Sequence, residues 1–294
     1  MKKASEKIKC VGLVANPEKT AGAPLVRKAS RLLAKAGIKV VTNGITARMA
    51  KIKDPILPDL PEISKKADML LVFGGDGTVL QVTRELGGSR TPVLAINVGS
   101  LGFLTAVSSG RLDEAIRCVL SGEFQIESRY LMDATLSIAG HESQRHAVND
   151  FVISVGAASR MITLDVTVDG HLLTRYRCDG LIVSTATGST AYSLSAGGAI
   201  VCPSAEVFTL TPICPHTLSN RSVIVGASSK LSVKVINEKP ETILAADGQV
   251  HSRLSAGDEV TIKRSRRQLR LVQLEGTSFF NTLRQKLSWS GSSV

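Results

Sequence analysis

The sequence predicts an α/β protein: an N-terminal, open, mostly parallel α/β domain, a β-rich, sandwich-like second domain, and a C-terminal tail that returns to the first. Three observations predict it. Short continuous apolar runs alternate with helix-periodic segments before Tyr130, period-two alternation takes over after it, and the tail reverts to a strand and then a helix. The chain has 294 residues, 43% hydrophobic and 21% charged, enough for two domains with substantial cores. The expected divisions are 1–130, 131–266 and 267–294.

Residues 11–15 read as a short apolar strand. Leu25, Ala29, Leu32, Leu33 and Ala36 recur at helical spacing, and Gly37 ends that helix. A second strand is expected at 38–42, whereas the proline-rich stretch 54–61 is expected to be irregular. Residues 69–73 read as a strand, 78–86 as a helix stopped by Gly87-Gly88, and 93–98 as another strand. Leu112, Ala115, Ile116, Val119 and Leu120 share one helix face, with Gly122 as its stop. Continuous apolar strands between helices point to a parallel sheet covered on both faces. Farther on, Ile162, Leu164, Val166 and Val168 alternate with Thr163, Asp165 and Thr167, and 231–235 alternates likewise. Further short strands are expected at 131–138, 151–155, 181–185, 207–211 and 259–263, then a strand at 269–274 and a helix at 279–287.

Composition narrows the function. No apolar stretch approaches the roughly 20 residues of a membrane-spanning helix, and no signal-peptide core follows the charged N-terminus, so a cytoplasmic location is expected. Five widely spaced cysteines with no C-x-x-C fit free thiols in a reducing compartment rather than zinc or disulfides. The formal charge is +11, much of it before residue 69, where 15 basic residues face 6 acidic ones. With aromatics at only 4%, base-stacking platforms are lacking, so the positive field suits small anionic substrates better than nucleic acid.

The chemistry concentrates in a few segments. Gly74-Gly75-Asp76-Gly77-Thr78 follows directly on the apolar run 69–73. A glycine-rich turn after a strand brings bare backbone N–H groups close to a bound anion. A carboxylate there would repel phosphate, so Asp76 is expected to hold Mg²⁺ or to take a proton from a hydroxyl nucleophile. The structural alternative is a tight turn with a solvated Asp. Asn97-Val-Gly99-Ser-Leu-Gly102-Phe103-Leu also follows a strand, and its glycines either admit a ligand at the C-terminal edge of the sheet or form a structural loop. Asn149-Asp150 offers amide and carboxylate acceptors, or forms an ordinary turn. Residues 187–198 combine hydroxyls, small side chains and Tyr192, a composition suited to phosphate, ribose and base contacts. His216, in a proline-containing turn, reads as structural, and His141 and His146 lack the partners of a metal site. There is no G-x-S-x-G, Walker A or G-x-G-x-x-G motif.

As a set, Gly74-Gly-Asp-Gly-Thr78, Asn97-Val-Gly-Ser-Leu-Gly-Phe-Leu104, Asn149-Asp150, Asp179-Gly-Leu-Ile-Val-Ser-Thr-Ala-Thr-Gly-Ser-Thr-Ala-Tyr192 and Pro212-Ile-Cys-Pro-His-Thr-Leu218 resemble the NAD kinase family, in the family's order and over most of the chain. GGDGT alone is shared with diacylglycerol and sphingosine kinases, but the segment 179–198 is far more specific. One departure is Ala186, where the family usually has Pro. The resemblance implies transfer of the γ-phosphate of ATP to the 2′-hydroxyl of the adenosine ribose of NAD, with a divalent metal, Mg²⁺, and no metal site built of protein side chains alone. It implies Asp76 as proton acceptor. Gly75, Gly77, Thr78 and Phe103 fall among the nucleotide contacts, with Asn149, Asp150, Asp179, Thr190, Ala191, Tyr192, Leu194 and Ser195 on NAD. Arg160 and Gln249 align as further substrate contacts, and Arg177 matches the arginine of ATP-preferring members. The family's members are homodimers or homotetramers. Two rivals are a lipid kinase sharing GGDGT, which would need an acyl-chain pocket that the hydroxyl-rich 187–195 opposes, and an NAD-sensing module without turnover, which has no use for Asp76.

Overall fold

Met69–Gly74 has no charged or hydrogen-bonding side chain, and it becomes a strand buried at every position. It pairs in parallel with Cys10–Ala15 on one side and with Val93–Asn97 on the other. Cys10–Ala15 continues into Lys39–Asn43 and then Ile56–Leu57, all parallel. Beyond Val93–Asn97 lies the end of Glu259–Leu274, also parallel, with Leu271 opposite Val93. The chain thus works outward from its first long strand to one edge of the sheet, then returns to that strand's other flank. The reversal falls between Cys10–Ala15 and Met69–Gly74. At such a reversal the connections leave the sheet in opposite directions and open a crevice at the C-terminal ends of the strands.

The computed structural model describes residues 2–3, 8–105, 107–138, 140–156, 161–217, 220–236 and 241–289. Two compact units make up the chain: Met1–Ser128 with Gln268–Val294, and Arg129–Arg267. In the first, helix Gly22–Lys35 buries Val26, Ala29 and Leu33, and helix Leu112–Ser121 buries Leu112, Ala115, Ile116 and Val119. They share a core with Val11, Leu13, Leu71, Phe73, Leu94 and Ile96 of the sheet. Strands apolar on both faces need cover on both.

The second unit is antiparallel. Val223–Gly226, Val207–Ile213, Gly180–Thr185, Asp150–Val155, Thr242–Ala246 and Val250–Leu254 form one six-stranded sheet in that order. His171–Cys178, Ile162–Val168, Leu231–Val235 and the start of Glu259–Leu274 form an antiparallel run in another. Leu164, Val166, Val233 and Ile262 of this run share one core with Phe151, Ile153, Leu181, Val183, Phe208 and Leu244 of the six-stranded sheet. The unit is therefore a sandwich. No helix among the described residues is long and apolar enough to cross a membrane, and all five cysteines are free.

Some local expectations are corrected. Residues 54–61 are not irregular: Ile56–Leu57 is a short strand, and helix Leu60–Lys66 starts at Asp59, whose carboxylate accepts from Glu62 N at 2.8 Å. Pro61 stands in the first turn, where its missing N–H costs nothing. A helix at Gly44–Ala50, capped by Asn43 accepting from Thr46 N at 2.8 Å, had no strong sequence signal. The strands expected at 259–263 and 269–274 are one strand, Glu259–Leu274, which runs unbroken through the arginine-rich middle although its buried positions shift from even (Val260, Ile262) to odd (Ser265, Leu269, Leu271). The strand expected at 131–138 likewise starts at Phe124.

Candidate active site

The first cluster is built on Gly74–Thr78. Helix Asp76–Glu85 begins at Asp76, two residues earlier than its periodicity suggests. Thr78 turns its hydroxyl back to accept from Gly75 N at 3.4 Å, and Asn16 Nδ2 donates to the same hydroxyl at 3.4 Å. Thr78 is buried, Gly77 is exposed with open space where a Cβ would stand, and Asp76 is half-buried.

The Asp76 carboxylate is tied to the loop that carries Phe103. Oδ2 accepts from Phe103 N at 2.8 Å, and Oδ1 accepts from Leu104 N, Thr105 N and Thr105 Oγ1 at 3.0, 3.1 and 3.0 Å. Asn97 Nδ2 donates to Thr105 Oγ1 at 2.8 Å and to Ser100 O at 2.6 Å, so one hydrogen-bonded chain runs from the end of Val93–Asn97 to Asp76. The approach is too close for any side chain at residue 102: a Cβ on Gly102 would lie 2.0 Å from Asp76 Oδ1. Of the two carboxylate oxygens, Oδ1 is saturated, whereas Oδ2 has one donor and a further lone pair. The far side of the loop is held by helix Phe279–Lys286: Phe279 packs its ring against Phe103 with centroids 6.0 Å apart, and Lys286 donates to Leu101 O at 2.9 Å.

The second cluster lies in the other unit, where Asp150–Val155 and Gly180–Thr185 pair with Asp150 opposite Ser184. The loops at that end are laced together. Asn149 O accepts from Thr185 N at 2.9 Å, and Gly188 crosses so near that a Cβ would lie 2.0 Å from Asn149 O. Asp247, at a left-handed turn position with φ 49°, accepts from Val148 N at 3.0 Å, Asn149 N at 2.8 Å and Asp150 N at 3.3 Å. The Asp150 carboxyl is only 4% exposed and accepts from Tyr192 N. Burial, and then the charge of Asp247, push its pKa up to about 7, against the opposing effect of the Tyr192 N–H.

The hydroxyl-rich segment divides by role. Ser189 is fully buried, accepts from Val201 N at 3.0 Å and donates to Ala186 O at 2.7 Å, and Ser193 is equally buried against Thr211 at 3.0 Å. These are structural bonds. Thr190, Ala191 and Leu194 are half-buried, Ser195 is exposed, and the Tyr192 ring is 48% exposed. Ala186, at the family's proline position, donates its N–H to Tyr130 Oη at 3.4 Å, a bond proline would lack.

Asn149, Asp150, Thr190–Ser195 and exposed Gln249, next to the Asp247 turn, therefore gather at one strand end. Arg177 and Asp179 do not join them. They precede Gly180–Thr185 at its opposite end, where Val155 N donates to Asp179 O and His216 N to Arg177 O, each at 3.0 Å. Six residues of strand put about 17 Å between the two groups. Arg160 lies outside the described residues. Sequence reasoning missed Lys19 beside Gly75, and also Asp247. The Asp247-Gly248 dipeptide is a hairpin signal, but its bonds to residues about a hundred positions away have no local signature.

Comparison with known proteins agrees with this architecture. Residues 11–124 match the ATP-NAD kinase N-terminal domain and residues 148–274 the ATP-NAD kinase C-terminal domain. The NAD kinase of Geobacter metallireducens is 43% identical over 78% of this chain and 81% of its own length, and that of Symbiobacterium thermophilum is 41% identical over 94% and 98%. Among solved structures, yeast NADH kinase complexed with NADH superposes with a TM-score of 0.88 at 26% identity, over 98% of this chain and 89% of that one. An NAD kinase from Archaeoglobus fulgidus in complex with ATP gives 0.76 at 27% identity, over 96% and 100%. Both domain matches, the relatives over most of their length and the shared fold make this chain a member of the ATP-NAD kinase family.

Proposed function

We propose that this chain transfers the γ-phosphate of ATP to the 2′-hydroxyl of the adenosine ribose of NAD, giving NADP and ADP. The observation that carries the residue-level reading is the Asp76 carboxylate at the sheet reversal: Oδ1 is pinned by three donors and Oδ2 keeps an acceptor position. The ribose 2′-oxygen forms the new bond to the γ-phosphorus, and the bond from that phosphorus to the β,γ-bridging oxygen breaks. ADP leaves with the electron pair, and the hydroxyl proton passes to Asp76 Oδ2 and on to solvent. A pinned carboxylate suits a reaction with a loose transition state, in which alignment supplies much of the acceleration. Gly75, Gly77 and Thr78 line the phosphate side, with Phe103 on the nucleotide.

Asn149, Asp150, Thr190, Ala191, Tyr192, Leu194, Ser195 and Gln249 are the residues we assign to NAD. Arg177 and Asp179 stand a strand length away, so we assign them to a different part of the substrates from that held by Tyr192. Arg160 keeps the contact that the resemblance implies. No three His, Cys, Asp or Glu side chains cluster as metal ligands among the described residues, and Oδ1 of Asp76 is already saturated. We assign Mg²⁺ to the substrate, entering with the nucleotide as MgATP, as the family resemblance implies. A cytoplasmic location, which rests on the cysteine usage and the character of the N-terminal segment, and assembly as a homodimer or homotetramer, which rests on the family resemblance, belong to the same proposal.

The test is direct. The purified chain is incubated with NAD, ATP and Mg²⁺, and NADP is detected with an NADP-specific dehydrogenase. NADP formation is expected; folded protein that yields none removes the proposal.

A further inference from the structure

Lys19 carries a charge that neither the fold nor the reaction described above uses. It follows the first long strand, in a turn fixed at several points. Asn16 N donates to Phe73 O at 3.0 Å, Asn16 Oδ1 accepts from Glu18 N at 2.9 Å, Lys19 N donates to Asn16 O at 3.2 Å, and Gly22 N donates to Lys19 O at 2.8 Å. The side chain is half-buried and reaches over two glycines from two other turns of the same sheet edge. Its Nζ is 3.1 Å from where a Cβ on Gly75 would stand and 3.6 Å from where one on Gly99 would stand. Three adjacent strands thus deliver a lysine and two bare backbones to one place, beside the reversal in strand order. No hydrogen bond or ion pair to this ammonium is present among the described residues.

A half-buried ammonium held over side-chain-free backbone, with no acceptor of its own among the described residues, is placed to meet an anion. A side chain at residue 75 would press on the ammonium, so the missing Cβ atoms leave it exposed to a ligand. We infer that Lys19 is a further binding and catalytic residue: its ammonium grips the terminal phosphates of the donor nucleotide and neutralises charge on the phosphoryl group as it transfers. This rests on the proposed reaction and adds to it the group that offsets the charge of Asp76 near the phosphates. An ammonium is a compact point charge that follows phosphate oxygens as they move.

The experiment compares wild type, Lys19→Met and Lys19→Arg. MgATP and NAD binding are measured separately by calorimetry, which needs no turnover, and steady-state kinetics and melting temperature are recorded in parallel. Lys19→Met is expected to weaken MgATP binding about tenfold or more and to lower kcat about 10- to 100-fold, as for loss of one phosphate-stabilising group. NAD affinity should stay within about twofold and the melting temperature should hold, with Lys19→Arg, which keeps the charge but not the compact ammonium, recovering part of the loss. MgATP binding and kcat unchanged in Lys19→Met would overturn the inference. So would equal losses for NAD and MgATP with a lowered melting temperature, which would make the lysine structural. Wild type that binds MgATP but forms no NADP would remove the reaction and leave the lysine's phosphate contact to the calorimetry. Wild type that binds no MgATP would remove both.

Discussion

Asp76 holds a loop and, in the proposed reaction, takes a proton, and the two roles can be separated by substitution. An amide at residue 76 offers one acceptor oxygen and an NH₂ that must face either Phe103 N–H or the three donors on the other side. Asp76→Asn is therefore expected to lower turnover about 10²- to 10⁴-fold and to cost about 1–3 kcal/mol of stability from the misfaced donors. Thr105→Val removes one bond to Oδ1 and the bond from Asn97, leaving the carboxylate. Denaturant melts should show a loss of about 1–2 kcal/mol, with turnover less than tenfold down. If the two variants lose turnover equally, the proton-accepting role fails and loop geometry alone explains the motif. In the other unit, Asp150 gives a pH signature. Its pKa is about 7 in the folded chain against an ordinary 3.8, so the folded state holds the proton more tightly. The stability this confers is complete below about 3.8 and is lost as pH rises through 7. Asp150→Asn removes the buried charge and keeps an acceptor for Tyr192 N. It is expected to raise the melting temperature at pH 8 and to have little effect at pH 4, and the opposite order would refute the burial argument.

Helix Phe279–Lys286 is the element whose role is least evident from its sequence. Phe279 and Lys286 lie seven residues apart, two helical turns, and so share the face that meets the Leu101–Thr105 loop. Lys286 also stands 5.3 Å from the Phe103 ring centroid. The loop is thus clamped between a carboxylate on one side and a helix on the other. Phe279→Ala is expected to speed amide exchange at residues 103–105 about tenfold or more, by opening the loop locally, and to raise the apparent KM for nucleotide. Exchange that stays as slow as in wild type would mean that Asp76 alone fixes the loop. The same logic explains Gly102, where a Cβ 2.0 Å from Asp76 Oδ1 has to displace the carboxylate or the loop; this element tolerates no side chain there.

Across the whole molecule, the charge of +11 acts on anionic substrates at a distance, and the effect is screened within about 8 Å at physiological ionic strength. Raising salt from about 20 to 200 mM is expected to lower kcat/KM for ATP by several-fold with kcat nearly constant; a salt-independent kcat/KM would make the basic surface irrelevant to catalysis. Much of this architecture was legible in the residues themselves. The run 69–73, apolar throughout, had to be a strand covered on both faces, and the alternation at 162–168 had to be one face of an antiparallel sheet, because side-chain period follows backbone geometry. The glycine-rich turn announced itself through residue types that a strand or helix interior would reject. What the sequence could not carry was pairing at long range. That Asp76 is bound by residues 103–105, that Asp247 holds 148–150, that Lys19 stands over Gly75 and Gly99, and that Arg177 and Asp179 sit a strand away from Tyr192 were decided by the tertiary structure. Periodicity and turn chemistry are local, with the backbone setting them within a few residues. A hydrogen bond across tens of residues exists only once the strands have chosen their neighbours.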